Sequence, residues 1–324
     1  MIKLILEHKL SRFSSVVRAI DVWAGFGWEA AREKTVNRFL ELADLYLNQP
    51  ELIPHAIESK DNAEVYMALW SQGVLEVLNC MPLIDKLIQK DSEKRSVALY
   101  FVKQVGLSNF SIKYAQSCLE SEDPLTIQFA CELLNEPNFI KLLKRNQALQ
   151  FFERLEALQA RMPIKKKKFP SRVFDWLEFS VDRSSLHSLM LNLLDLDKKE
   201  DLKRILPYYN DLSVDIRSQL AAKVLKGFGA YEKKPLLSTG LKDWQIDFAF
   251  DAVSDRSSDI RQRAMSALKE AQLSESRIEE LEPLLKRKSA EFRRSMLELI
   301  QQSGVPAMRS RAQRLLEAGS EEQR

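Results

Sequence analysis

The sequence predicts an all-α protein, an α-α superhelix of antiparallel helical hairpins, and three observations carry that reading. Apolar residues recur at i, i+3, i+4 and i+7 along almost the whole chain, with little of the strict alternation that strands need. Glycine (9 residues) and proline (11) are scarce in 324 residues, a balance that suits long helices with short connections and starves a turn-rich sheet fold. Similar helix-opening segments return at spacings of 44 residues (Arg217 to Arg261) and 32 residues (Arg261 to Arg293), the range of helical-hairpin solenoids.

From the N-terminus onward, the elements follow from these patterns. Met1 to Leu6 is a short apolar run that Glu7 and His8 cut off, too short for a signal-peptide core or a membrane span. Gly25-Phe26-Gly27 lacks a preceding strand, a third glycine and a Lys-Ser/Thr pair, so it reads as a break between helices and not as a phosphate cradle. Trp23 and Trp28 flank it and are expected to pack at the end of the stack. Val36, Phe39, Leu40, Ala43 and Leu47 make one helical face. Punctuation between later helices is short, as at Asn48-Gln-Pro, Cys80-Met-Pro, Ser121-Glu-Asp-Pro and Gly304-Val-Pro. Residues 1–160 are expected to form an N-terminal helical block, 161–171 a basic linker or loop, 172–317 a second block of hairpins, and 318–324 a frayed tail.

Four helix openings superpose: Asp91-Ser-Glu-Lys-Arg-Ser, Ser213-Val-Asp-Ile-Arg-Ser, Ser257-Ser-Asp-Ile-Arg-Gln and Ser289-Ala-Glu-Phe-Arg-Arg. In each, a Ser or Asp can accept a hydrogen bond from a free amide of the first turn, an acid favours the positive end of the helix dipole, and an arginine follows two positions later. A weaker copy begins at Asp123, with Gln128 in the arginine's place. These segments resemble HEAT repeats, whose second helix commonly opens with Asp-Val/Ile-Arg. Asp215-Ile216-Arg217 and Asp259-Ile260-Arg261 match that pattern, while Glu291-Phe292-Arg293 and Glu93-Lys94-Arg95 depart from it. The resemblance covers about residues 200–302 and 60–136. It implies that Asp215, Arg217, Asp259, Arg261, Glu291 and Arg293 form a structural ladder linking adjacent repeats, and it leaves activity open, because many functions use the fold.

Charge narrows the partners. Residues 1–160 carry 18 basic and 21 acidic side chains, residues 161–171 carry 5 and none, and residues 172–324 carry 26 and 25, so the excess of +3 sits in one short segment. Lys165 to Lys168, flanked by Pro163 and Pro170, read as a solvated linker. A second basic cluster, Lys286, Arg287, Lys288 and Arg294 with Arg293, Arg309, Arg311 and Arg314, could follow an anionic backbone. The first four are the candidate partner-binding residues.

No motif for catalysis, metal or cofactor emerges. His8, His55 and His187 stand far apart without metal-ligand spacing, and no Gly-x-Ser-x-Gly or His-Glu-x-x-His is present. Cys80, Cys118 and Cys131, an odd number in apolar segments, read as reduced core thiols of a cytoplasmic protein. The expected function is therefore a non-catalytic scaffold that binds a protein partner over an extended surface. The alternatives are nucleic-acid binding through residues 286–314, or base excision as in HEAT-like DNA glycosylases. Those enzymes use aromatic residues and a carboxylate, types supplied here by Trp176, Trp244, Asp243 and Asp247.

Overall fold

The computed structural model describes residues 1–24, 26–105, 108–226, 240–271, 273–286, 290–301 and 305–318, and they are overwhelmingly helical. The chain divides into two compact units, Met1–Leu194 and Asp195–Arg324.

The first unit begins with α1 (Ile2–Glu7), α2 (Ser14–Ala24), α3 (Glu33–Asn48) and the single turn α4 (Ile53–Ala56). Next come α5 (Asn62–Glu76), α6 (Cys80–Ile88), α7 (Ser92–Val105), α8 (Ser108–Cys118) and α9 (Pro124–Leu134). It closes with α10 (Pro137–Leu142), α11 (Arg145–Leu158), a strand pair β1 (Lys167–Pro170) and β2 (Glu178–Val181), and α12 (Ser184–Asn192). Several helices start where a carboxylate relieves an unpaired amide of the first turn. Asp61 accepts from the Ala63 amide at 2.8 Å, Asp91 from Lys94 at 2.9 Å, and Asp123 from Thr126 at 3.2 Å. On α3 the face Val36, Phe39, Leu40, Ala43 and Tyr46 is buried and Leu47 only half so, because Tyr46 takes the place at the end of the stripe.

Packing follows an every-other-helix rule. α3 lies on α5, α5 on α7, α7 on α9 and α9 on α12, while α6 packs on α7 and α8, and α8 also on α7 and α9. The row helices are apolar on more than one side: Val65, Tyr66, Met67, Ala68 and Leu69 of α5 are all fully buried, as are Val97, Ala98, Leu99, Phe101 and Val102 of α7. A helix apolar all round must be covered on both flanks. The stretch Asn62–Ile88 is long and apolar enough to cross a membrane by composition. In this fold it breaks at the 3-10 turn Val77–Asn79, and its α5 portion fills the core.

The segment 161–171 departs from the expectation of a linker between blocks. Lys167, Lys168, Phe169 and Pro170 form β1, paired antiparallel with β2 in the register Lys167 to Val181 and Phe169 to Phe179. The domain division falls instead between Leu194 and Asp195. The physical reason lies in the aromatics that follow the lysines. Phe174, fully buried in the loop between the strands, sits 5.0 Å from Phe39 of α3, 5.4 Å from Tyr66 of α5 and 6.0 Å from Tyr100 of α7, centroid to centroid. Phe179 continues the line at 5.5 Å from Tyr100 and 5.0 Å from Phe129 of α9. The hairpin therefore covers the face shared by α3, α5, α7 and α9. Trp176 stacks on Phe174 at 4.9 Å and donates its Nε1 hydrogen to the Gly27 carbonyl at 2.9 Å. Gly27 has φ +68°, which glycine tolerates without the penalty a Cβ would bring. Thus the glycine break read from the sequence docks the hairpin. Trp28 is buried beside Phe26, and the side chain of Trp23 lies outside the described residues.

This covering leaves one cost visible. The Tyr66 hydroxyl is fully buried with no hydrogen-bond partner among the described residues, and burial holds its pKa well above the ordinary tyrosine value. An orphaned buried donor costs about 1–3 kcal/mol. Tyr66→Phe is accordingly expected to leave stability unchanged or raise it by about 1 kcal/mol in denaturant unfolding.

The second unit contains α13 (Lys199–Ile205), α14 (Val214–Val224), α15 (Asp243–Ala252), α16 (Ser258–Glu270), α17 (Glu275–Glu279), α18 (Ala290–Ile300) and α19 (Val305–Ala318). Again alternate helices pack, α14 on α16 and α16 on α18, with α15 against both α14 and α16. Residues 319–324 of the expected tail lie outside the described residues.

Candidate functional site

The acid-x-Arg openings acquire a concrete role in the structure. Each arginine that can be followed turns back onto the connection preceding its own helix. Arg95 donates to the Ile88 carbonyl at 2.8 Å, Arg217 to the Leu212 carbonyl at 2.7 Å, and Arg261 to the Asp255 and Arg256 carbonyls at 2.9 and 2.8 Å. Backbone carbonyls in a tight turn have no helical partner, and a guanidinium offers several donors in a rigid fork that can satisfy them.

Arg217 reaches further. Its Nε donates to Asp255 Oδ2 at 2.8 Å and its Nη2 to Asp255 Oδ1 at 3.3 Å, joining α14 to the turn before α16. Asp255 also accepts from the Tyr209 hydroxyl at 2.7 Å and the Ser257 amide at 2.7 Å. Both side chains are buried, and the guanidinium lies 5.8 Å from the centre of the Tyr209 ring. Burial opposes ionisation of Asp255, but the hydrogen bonds from Arg217, Ser257 and Tyr209 outweigh it and hold the carboxyl below its ordinary value. The same bond works oppositely on Tyr209, whose hydroxyl is pushed far up by burial and by the carboxylate it serves.

Arg217 therefore links α14 to the turn before α16 through Asp255, a residue that the acid-x-Arg pattern did not contain. Asp259 provides a second, exposed link by accepting from Ser218 at 2.9 Å. Asp215 is exposed on the first turn of α14, where it faces the positive helix end. Arg293 is half-buried on α18, and the Glu291 side chain lies outside the described residues.

This buried clasp forms one wall of a cleft of about 830 Å³. Leu206, Tyr209 and Leu212 come from the turn leading into α14, Val214 and Arg217 from α14 itself, Phe248, Phe250 and Asp251 from the end of α15, and Asp255 and Arg256 from the turn that follows. The cleft thus sits where the turn leading into α14 meets the turn between α15 and α16. Its apolar wall is partly wet, with Val214 exposed to 50%. Nothing in the sequence brought Tyr209, Arg217 and Asp255 together. The usable signal was an aspartate placed two residues before the Ser257 helix start, where its carboxylate can accept the Ser257 amide.

The candidate partner-binding residues are placed only in part. Arg287 and Lys288 lie outside the described residues, as does the side chain of Lys286, and Arg294 is exposed on α18. Two other cations of the basic cluster are neutralised, while Arg309 is exposed on α19. Arg311 is buried against Glu275 at 2.8 Å and Glu282 at 3.3 Å, and Arg314 pairs with Glu279 and Glu282. Of the lysine run, Lys168 pairs with Glu178 across the strand pair at 2.8 Å, and Lys165 and Lys166 are exposed. The residues weighed for base excision do not converge: Trp176 belongs to the first unit's aromatic core, Asp247 is bonded to Arg277, and Trp244 lies beneath Lys242. Among the described residues no group of three His, Cys, Asp or Glu side chains is arranged to hold a metal ion. His187 is fully buried with Nε2 3.2 Å from the Gln159 side-chain oxygen. All three cysteines are free and buried, and burial pushes the Cys80 thiol up to about 12 and Cys118 to about 11.

These features define a mainly helical protein of two units whose second unit carries a polar clasp at the base of an open cleft. The chain belongs to a family of unknown function (DUF5724), which matches residues 1–324. Comparison with curated proteins found no match.

Proposed function

We propose that the chain is a cytoplasmic, non-catalytic scaffold built of HEAT-like helical hairpins, and that it holds a protein partner on the second unit. The observation that carries this reading is the Arg217–Asp255 clasp, which ties one helical hairpin to the turn of the next in the way a stack of nearest-neighbour modules requires. The every-other-helix packing of α3, α5, α7, α9 and α12, and of α14, α16 and α18, supports an α-α superhelix. In such stacks the row of side-by-side helices is the usual display surface. In the first unit that row is already covered by the chain's own Phe174 and Phe179, so the open cleft of the second unit is the better candidate.

Affinity purification from the source organism is expected to recover a stoichiometric protein partner, and a repeatedly partnerless preparation would count against the scaffold reading. Nucleic-acid binding is the competing outcome. It requires affinity for single- or double-stranded oligonucleotides that falls steeply with salt. The neutralisation of Arg311 and Arg314 argues for the protein reading.

A further inference from the structure

We propose that the cleft of the second unit is a receptor for a cationic side chain, lysine or arginine, of the partner protein, with Asp251 as its anchor. This inference rests on the scaffold reading and adds to it the chemistry of what is held.

Asp251 stands on the last turn of α15 and lines the cleft. An acidic side chain there meets the negative end of the helix dipole. Asp247 lies one turn earlier on the same helix, where a like charge is unfavourable. No hydrogen bond or ion pair relieves Asp251 among the described residues, although cations surround it. Arg217 is occupied by Asp255 and the Leu212 carbonyl, and Arg277 by Asp247 and Glu280. Arg256 on the rim makes no ion pair either. Burial and, after it, the Asp247 charge raise the Asp251 carboxyl above its ordinary value. A carboxylate placed against the dipole, beside another acid and without a counter-ion weakens the fold. Such arrangements mark positions where a ligand supplies the missing charge.

The surroundings suit a long cationic side chain more than a small metal ion. Leu206, Val214 and Phe248 offer an apolar wall for a methylene stem, and the ring of Phe250 already carries the Arg277 guanidinium at 5.3 Å, so this rim is compatible with stacked cations. About 830 Å³ exceeds one side chain and leaves room for the backbone on either side of it. Of the charges lining the cleft, Arg217 is matched by Asp255, which leaves Asp251 and Arg256 without an ion pair among the described residues. Both are exposed, and of the two only the Asp251 carboxylate stands against a helix dipole and one turn from a like charge, so it gains more from an opposite charge.

The test uses the full chain and two acetylated, amidated peptides, Ala-Ala-Arg-Ala-Ala and the same peptide with neutral citrulline in place of arginine. Backbone amide shifts are followed by NMR. The arginine peptide is expected to shift amides of α15 and of 206–214, and the citrulline peptide to bind about tenfold more weakly or worse. Asp251→Asn should reduce arginine-peptide affinity to the citrulline level and Asp251→Glu should retain it. Equal binding of both peptides, an unaffected Asp251→Asn, or no shift in the cleft at millimolar peptide overturns the proposal. The melting temperature separates loss of the site from loss of the fold, since Asp251→Asn is expected to leave it unchanged or raise it at neutral pH. If the partner recovered from the source binds Asp251→Asn as well as the wild type, the anchor fails while the scaffold reading stands.

Discussion

Phe174→Ala is expected to destabilise the first unit by about 3–5 kcal/mol, the usual cost of truncating a large buried aromatic. Phe174 is fully buried and touches rings from α3, α5 and α7 at once, so no single neighbour can move in to fill the space. Because Trp176 and Phe179 flank it in the same short excursion, the loss should spread along the hairpin. Hydrogen exchange followed by mass spectrometry should show faster exchange in 167–181 and in α3 and α5, with the second unit unaffected. Protection unchanged across 167–181 would show that the hairpin is an appended surface loop and not part of the core. Replacing Lys165 and Lys166 by glutamine, in contrast, should leave protection as it was, since both are exposed.

Asp255→Ala is expected to cost the second unit about 3–5 kcal/mol, because it strands the buried Arg217 guanidinium with only the Leu212 carbonyl as partner. Arg217→Met should cost less, since Asp255 would keep the Tyr209 hydroxyl and the Ser257 amide. The double variant should recover part of the loss, as the stranded charge goes with its partner. A pH dependence follows with a definite sign. The folded-state pKa of Asp255 is depressed, so its contribution is complete above the ordinary aspartate value. That contribution is lost as pH falls through the lowered folded value. Wild type should therefore lose stability on acidification more steeply than Asp255→Ala. Exchange rates in α14 and α16, measured from neutral pH down to strongly acidic pH, check both the size and the slope.

How much of this was legible in the sequence depends on the distance between the partners. Helix starts were readable because their chemistry is local: Asp91 and Ser213 cap the turns they precede, at 2.9 and 3.4 Å. The role of the arginines was half readable. Their position on the first turn was clear, but their shortest bonds run backward to carbonyls five to seven residues earlier, and the one long-range link depends on Asp255, 38 residues away. The hairpin was not readable as a core element. Four lysines dominate 161–171, while the residues that bury it come just afterwards and meet helices more than 40 residues away in sequence, as Phe179 meets Phe129. Period-2 alternation over two strands of four residues is too brief to stand out against helical patterning. The basic cluster looked freer in sequence than in space, because Glu275, Glu279 and Glu282 reach Arg311 and Arg314 across a turn of the fold. For the same reason the cleft was invisible: Tyr209, Arg217 and Asp251 share no local motif, and only the packing of α15 against α14 and α16 assembles them.

The proposed contact surface lies on the second unit, while the row of the first unit is sealed by its own hairpin. The most direct measurement is hydrogen exchange of the full chain with and without the partner recovered from the source. The account predicts new protection at 206–217 and in α15 and the turn that follows, with little change in α3, α5, α7 and α9. Protection confined to the first unit, or absent from the walls of the cleft, would contradict it.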